Sequence, residues 1–528
     1  MTEKALSKKL RSLIIIGVVF ALFLASWIVL SNTPVLDMIM GVEEPEPIKL
    51  VEGEVLGPNN RILIFEHVDR TRIKSIKVKN PEGEYEFVNK DGSFGLENYG
   101  GVFYDDQGMS SLIVTAGYTI TQERVTDKAT PEMIKEYGLD EPTAYWILTT
   151  TEGKTYKVLV GDRILADGGY YGMLEGRENC VYILNPTVET NIFKPLEVYI
   201  EPLVCYGLTD QNYYLVDNFS VAHGEEPFVV VKQSTREEFV NPDAQAETKL
   251  AYPAGYKTDD TFFMSSVMSR FMSMVGEEVV YMGTDDDRKA EYGLDIDKDP
   301  YYYIYFTLGS GKEKYEFDFF VSELQEDGYY YVISNLYNYD MVVKCSRETF
   351  SWLELGLIEW VDDYPIMLNI TSVDDITVEF GDKAYNFDLV HSVDSEGYAA
   401  LEILGDDGFK LSNSEVQNFR EFYKVLLSVQ IMGNINDELN EEGIPAVLTD
   451  EEIEEIVSDE SKLMGKVTFH MANGTKNQYS FHRYSTRRAI FNYNGETNFY
   501  VLADWIEKLE TDTVKVLENI DVDSHWKN

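Results

Sequence analysis

The side chains that could carry chemistry are few and scattered. His470 and His482 lie in a stretch that reads as a β-hairpin, where they could face each other and hold a metal ion. Two histidines without a third ligand make an incomplete site, so they read as ordinary polar strand residues. Asp295, Asp297 and Asp299 have the one-three-five spacing that opens a calcium loop. Pro300 then stands where that loop needs glycine, and Phe306 where it needs glutamate. Asp285, Asp286 and Asp287 read instead as acids at a helix N-terminus, favourable to its dipole. Adjacent carboxylates such as Asp406 and Asp407 could do acid–base work, but among 92 acids such pairs arise by chance. Cys180, Cys205 and Cys345 are too few for a disulfide framework. Cys180 and Cys205 could pair in an oxidising compartment; alternating with Tyr182, Cys180 reads as a buried thiol. The chain has no phosphate-binding loop, dinucleotide fingerprint, nucleophile elbow, His-Glu-x-x-His or Cys-x-x-Cys. No catalytic, cofactor-binding or metal-ligating residue is therefore assigned. Recognition is left to tyrosine. Tyr170, Tyr171, Tyr329 and Tyr330 would offer stacking platforms to a glycan or peptide if exposed, and would be sheet core if packed.

These tyrosines belong to a recurring run of strands. Tyr145 to Leu184 reads as four short strands with polar and glycine breaks. In the second, Tyr156, Val158 and Val160 share one face and Thr155 and Lys157 the other. A second copy begins at Tyr301, turns at Gly309-Ser310-Gly311, and returns through Tyr315 to Phe319 with aromatics facing in and acids out. A third runs from Lys466 to Met471, turns at Asn473-Gly474, and returns through Tyr479 to His482. Tyr156 and Tyr315 are 159 residues apart, as are Gly169 and Gly328. Tyr137-Gly138-Leu139-Asp140 recurs as Tyr292-Gly293-Leu294-Asp295. So long a period means tandem domains rather than a short-repeat solenoid.

Helices fill the gaps. Thr130-Pro131-Glu132 opens one that closes at Gly138, and Thr284 to Tyr292 repeats it. Gly108–Ala116, Thr187–Phe193, Thr261–Val275, Ser346–Ile358, Ser414–Val429 and Ala503–Leu509 also read as helical, and Thr449 begins a capping box. Phe262, Phe263, Met264, Val267, Met268, Phe271, Met272 and Met274 on one of these mark core, with a partner groove as the alternative. Asn241–Thr258 reads as a long loop. Mixed strands and helices without βαβ alternation give an α+β class with mainly antiparallel sheets. The expected organisation is a basic tail at 1–12, a transmembrane anchor at 13–30, a stalk at 31–60, and modules at 61–204, 205–366 and 367–528.

The net charge of −47 excludes nucleic acid as a partner, since a phosphate backbone needs a basic surface. Lys4, Lys8, Lys9 and Arg11 precede Leu13–Leu30, an uncharged run of 18 residues. At 1.5 Å per residue that run reaches about 27 Å, close to the ~30 Å of a hydrocarbon core. The membrane is thus an expected partner through Leu13–Leu30, with the N-terminus cytoplasmic and the rest extracytoplasmic. A cleaved signal peptide is the competing reading, and Ala25-Ser26-Trp27 is a poor cleavage site for one.

The order YGLD, strand, Gly-Lys-x-Tyr strand, Gly-Asp, GGYY resembles the bacterial family catalogued as domain of unknown function 4340. The residues that carry it are Tyr137–Asp140, Gly153–Asp162 and Gly169–Tyr171, then Tyr292–Asp295 and Gly328–Tyr331. They cover the first two modules; the third lacks YGLD and GGYY. The resemblance implies a membrane-anchored extracytoplasmic protein associated with ABC transport systems of the gliding-motility type, whose permease and ATPase are separate subunits. It implies no catalytic residue. The expected function is a non-enzymatic accessory subunit of such a transporter or envelope complex at a Gram-positive-like cell surface. A glycan- or peptide-binding surface module and a carboxylate hydrolase are the alternatives.

Overall fold

The computed structural model describes residues 3–31, 48–97, 102–165, 168–209, 212, 215–235, 238, 247–295, 297, 301–309, 314–435 and 448–524. Residues 1–2 of the tail, 32–47 of the stalk, 241–246 of the expected loop, the turn at 310–313 and the 298–300 part of the calcium-like run lie outside them. The chain divides into two compact units. Unit 1 comprises Met1–Ser93 and Ser111–Phe193, and unit 2 comprises Phe94–Ser110 and Lys194–Asn528. The stretches read as the second and third modules therefore share one unit.

α1 (Glu3–Ser31) is continuous, and every side chain described on it, from 12 to 28, is exposed. Among the described residues no helix is long and apolar enough to cross a membrane.

In unit 1, seven strands stand consecutively in one sheet. They are β1 (Ile73–Asn80), β2 (Gly83–Lys90), β3 (Thr121–Thr126), β4 (Ala144–Thr150), β5 (Thr155–Ile164), β6 (Gly169–Leu174) and β7 (Val181–Leu184). Their order is β2-β1-β4-β5-β6-β7-β3, antiparallel at each pairing. The period of two holds in β5, where Tyr156, Val158 and Val160 are buried and Thr155 is exposed. The helix expected at 108–116 is α2 (Asp106–Gly117). α3 (Pro131–Glu136) forms where the capping signal placed it, with Met133 N–H donating to Thr130 Oγ1. It ends at Gly138 in the left-handed region, φ +64°. α4 (Thr187–Asn191) follows the last strand.

Among the described residues unit 2 holds two large sheets besides a two-stranded one. The first comprises β8 (Val216–His223), β9 (Glu226–Gln233), β10 (Thr248–Tyr252), β11 (Glu278–Met282), β12 (Tyr301–Leu308), β13 (Tyr315–Ser322), β14 (Tyr329–Ser334) and β15 (Met341–Ser346). Its order is β10-β9-β8-β12-β13-β14-β15-β11. The second comprises β16 (Val373–Phe380), β17 (Lys383–Val393), β18 (Ala399–Gly405), β19 (Lys410–Leu411), β20 (Gly433–Asn434), β21 (Leu463–Met471), β22 (Lys476–Arg483), β23 (Arg488–Tyr493) and β24 (Glu496–Leu502). Its order is β19-β18-β17-β16-β21-β22-β23-β24-β20. All these pairings are antiparallel. The class is α+β. In all three sheets a hairpin places its first strand beside a four-strand meander, and the meander's last strand meets a strand that precedes it in sequence.

One apolar cluster is continuous across both sheets of unit 2. Phe219 of β8 is ringed by Phe263, Phe306, Trp352 and Trp360 at 5.3–6.1 Å between centroids. Across the seam, Tyr256 is fully buried and packs on Tyr493 and Phe499 at 5.4 and 5.3 Å. Part of the expected long loop is thus a plug joining the two sheets. The helix expected at 261–275 is broken into an α-turn (Asp260–Phe262), a π-turn (Phe263–Val267) and a 3-10 turn (Met268–Ser273). Val267 at the end of the π-turn and Met268 at the start of the 3-10 turn are both fully buried. Core, not a partner groove, is what those apolar residues form. α5 (Asp286–Ala290) is capped by Asp285, one residue past the expected Thr284. The 346–358 stretch is mainly 3-10 helix (Arg347–Glu354). α6 (Gln417–Leu427), α7 (Asp450–Ser458) and α8 (Ala503–Leu517) complete the unit, and α7 has the full Thr449–Glu452 capping box.

Candidate functional site

The chemical candidates disperse in the fold. His470 and His482 do not face each other: the register sets His470 opposite Lys476 and His482 opposite Leu463. His470 is exposed and pairs with Asp375. His482 is buried, with Nε2 2.9 Å from Ser480 Oγ and Nδ1 without a partner. Burial lowers its pKa. Asp406 accepts from the backbone N–H and Nδ2 of Asn386 at 3.1 and 3.0 Å, which closes a turn. Among the described residues no three His, Cys, Asp or Glu side chains group as a metal site. Cys180, Cys205 and Cys345 are free and buried, so the pairing of Cys180 with Cys205 is not made. Burial raises all three thiol pKa values, those of Cys205 and Cys345 to about 12.

The four tyrosines are not exposed platforms. Tyr170 and Tyr330 are buried, and Tyr171 and Tyr329 are half-buried. Tyr170 meets Phe193 edge-on at 5.1 Å, and Tyr330 meets Phe350 at 5.7 Å. Tyr171 stacks on Tyr137 at 4.2 Å, and the ring with the matching contact in unit 2 is Tyr331, at 5.1 Å from Tyr292. The triplet Tyr329-Tyr330-Tyr331 thus disguises a one-residue offset: by ring contact, Tyr330 matches Tyr170 and Tyr331 matches Tyr171. A strand shifted by one residue presents its opposite face, so the identity match had put each ring on the wrong side. Lys344 lies over the Tyr329 ring at 4.1 Å. Tyr315, read as inward, is 58% exposed.

The motif glycines are equally structural. A Cβ on Gly161 would stand 2.1 Å from the Tyr137 carbonyl oxygen, where Asp162 N–H donates to the same oxygen at 2.9 Å. The Gly-Asp pair is therefore a close backbone approach to the end of α3. Leu139 then inserts into a small cluster with Met173 and Val181, and Leu294 does the same with Tyr331, Ile333 and Val342.

Two arrangements escaped the sequence. The first is a buried polar cluster in unit 1. Glu54 has no exposed side-chain surface and accepts from Arg124, from the Tyr182 hydroxyl at 2.8 Å and from Val51 N–H at 2.8 Å. Arg124 also donates to Lys49 O at 2.7 Å, and Arg177 donates to Ile64 O at 2.7 Å and to the Tyr182 oxygen at 3.1 Å. Arg124 and Tyr182 are direct partners across β3 and β7. Burial pushes the Tyr182 hydroxyl pKa well up, so it stays a donor to the carboxylate. The cluster ties residues 49–54 to the sheet. A lone Glu after a Pro-rich stretch gave no signal of this.

The second is a groove in unit 2 of about 330 Å³ between the 3-10 turn Ile370–Ser372 and α6. Leu368, Ile370, Tyr423 and Leu427 wall it, and Arg420 and Lys424 line it. The Tyr423 hydroxyl donates to Leu368 O at 2.9 Å and fixes the wall. Lys424 pairs with Glu421 at 2.9 Å. Arg420 is half-buried and has no side-chain partner among the described residues. The two sides of the groove are about fifty residues apart in sequence, so no local spacing announces it. No family model, no curated protein and no solved structure matches this chain.

Proposed function

We propose that this chain is a non-enzymatic, membrane-anchored extracytoplasmic protein that docks onto an ABC-type transporter or envelope complex. The observation that carries the proposal is α1: Leu13, Ile16, Phe20, Phe23 and Trp27 are each more than 60% exposed on one continuous helix. Uncovered apolar surface of this extent marks an interaction with membrane or protein. The basic residues before it support a cytoplasmic N-terminus. The common strand order of the three sheets supports three copies of one module carried on that anchor. The choice of an ABC-type complex rests on the resemblance in YGLD, Gly-Asp and GGYY alone. In this reading the sheets and loops provide docking surface, and separate subunits hydrolyse ATP.

Deletion of residues 1–31 tests the anchor. The truncated protein should leave the membrane fraction, and one that still pelleted with washed membranes would defeat the single-anchor reading. Affinity isolation from gently solubilised membranes tests the complex. Permease and ATPase subunits should co-purify, and recovery of the chain alone would remove the transporter from the proposal.

A further inference from the structure

We propose that the groove beside α6 binds a small carboxylate carried on an apolar chain, with Arg420 taking the carboxylate. A chain with 92 acidic and 45 basic residues readily supplies carboxylates to its cations. Lys424, one turn along α6, has Glu421. Arg420 has none. Glu421 is already committed: it accepts from Gln417 Nε2 at 3.1 Å, from Lys424 at 2.9 Å and from Ser524 Oγ at 2.5 Å. These bonds, the Ser524 one foremost, hold its carboxyl below the usual range and keep it charged and occupied. A half-buried guanidinium beside leucine and isoleucine gains most from a planar anion that accepts two parallel hydrogen bonds. The walls then ask for an apolar body behind that anion. A volume of about 330 Å³ suits a small molecule, at the lower end of ligand pockets.

The place is a feature of the fold rather than an accident of one surface. Unit 1 has a groove of about 380 Å³ at the corresponding position, between the 3-10 turn before β1 and the end of α2. Val68 and Ile113 wall it, and His67 and Arg70 line it. Asp69 precedes that turn as Asn369 precedes the turn in unit 2. Unit 1 therefore keeps a carboxylate at the turn, 3.9 Å from His67, where unit 2 has an amide. Among the described residues, the groove in unit 2 keeps a cation, Arg420, with no carboxylate partner.

The test is calorimetric titration of the full-length protein with octanoate, with 1-octanol as the uncharged stem and acetate as the stemless anion. Octanoate should bind, and Arg420→Gln should weaken it about tenfold or more, the loss expected for hydrogen bonds to a charged group. Octanol binding should be unchanged by that substitution, and acetate should give no saturable heat. Arg420→Lys should fall between, because it keeps the charge and loses the paired geometry. Any apolar uptake by α1 is common to all variants and cancels in the comparison. No octanoate binding to the unmodified protein would overturn the proposal. So would equal affinity in Arg420→Gln, or an equal loss of octanol binding, which would mean a reshaped groove rather than a lost charge.

Discussion

Replacing Glu54 with alanine should cost unit 1 about 3–5 kcal/mol locally, the range for removing one partner of a buried ion pair. The figure follows from what is left behind. Arg124 keeps a side chain only 15% exposed and loses its carboxylate, and the fully buried Tyr182 hydroxyl loses its acceptor. Tyr182→Phe should cost less, about 1.5–3 kcal/mol, because it removes one hydrogen bond to a charged group and leaves Glu54 with Arg124 and Val51 N–H. Glu54→Gln should lie between the two. The assay is hydrogen exchange read by mass spectrometry at residues 48–56 and 121–126, with 301–308 in unit 2 as the internal reference. At ~1.4 kcal/mol per decade, the alanine variant should exchange at least a hundredfold faster in those peptides. The reference strand should be unaffected. Protection unchanged within about threefold would mean that the cluster is a satisfied ornament and that other contacts hold residues 49–54 to the sheet. In the anchor proposal this tie is where the chain coming from α1 enters its first sheet, so the same variants should make full-length protein more sensitive to proteolysis at residues 48–54.

Two other consequences concern buried titratable groups. Burial lowers the pKa of His482, so the folded state holds it neutral while the unfolded state protonates near the ordinary value of 6.5. The unfolded chain then binds more protons, and stability falls as pH drops below about 6.5. A His482→Leu variant should show a flatter loss of melting temperature between pH 7.5 and 5, and parallel curves would refute the assignment. Cys180, Cys205 and Cys345 are buried with raised pKa values, so a thiol reagent at pH 8 should label none of them until the protein unfolds, and then all three. Rapid labelling of the folded chain would show that one of the thiols is reachable.

What the sequence made legible was local. Alternation in β5, the capped starts of α3 and α7, and the left-handed glycine after α3 all follow from interactions within a few residues. What it hid was set by distant partners. Tyr256 sits in a stretch with few large apolar neighbours, and only contact with Tyr493 and Phe499 makes it core. The breaks at Phe263–Val267 and Met268–Ser273 are likewise not announced by the local apolar pattern, which reads as one helix. His470 and His482 share a hairpin yet stand near opposite ends of it, because the register across β21 and β22 is decided by Val467 and Phe469 on the buried face.

The third sheet shows which part of the pattern the fold requires. It has neither YGLD nor GGYY, yet its strand order follows the same scheme as the other two. Where Leu139 and Leu294 each fill a small cluster beside a capped helix, α7 supplies Ile453 against Ile435 and Ile490. All three sheets have a small apolar cluster beside a capped helix, and a motif of particular letters is one way to supply it. That separates scaffold from function in this chain. The plugs, caps and glycine contacts are accounted for by packing within the fold. The grooves beside the 3-10 turns differ in their polar residues: His67, Asp69 and Arg70 in unit 1, Asn369, Arg420 and Lys424 in unit 2. Recognition that distinguishes one unit from the other is to be sought there, and not in the packed tyrosines of the GGYY stretches.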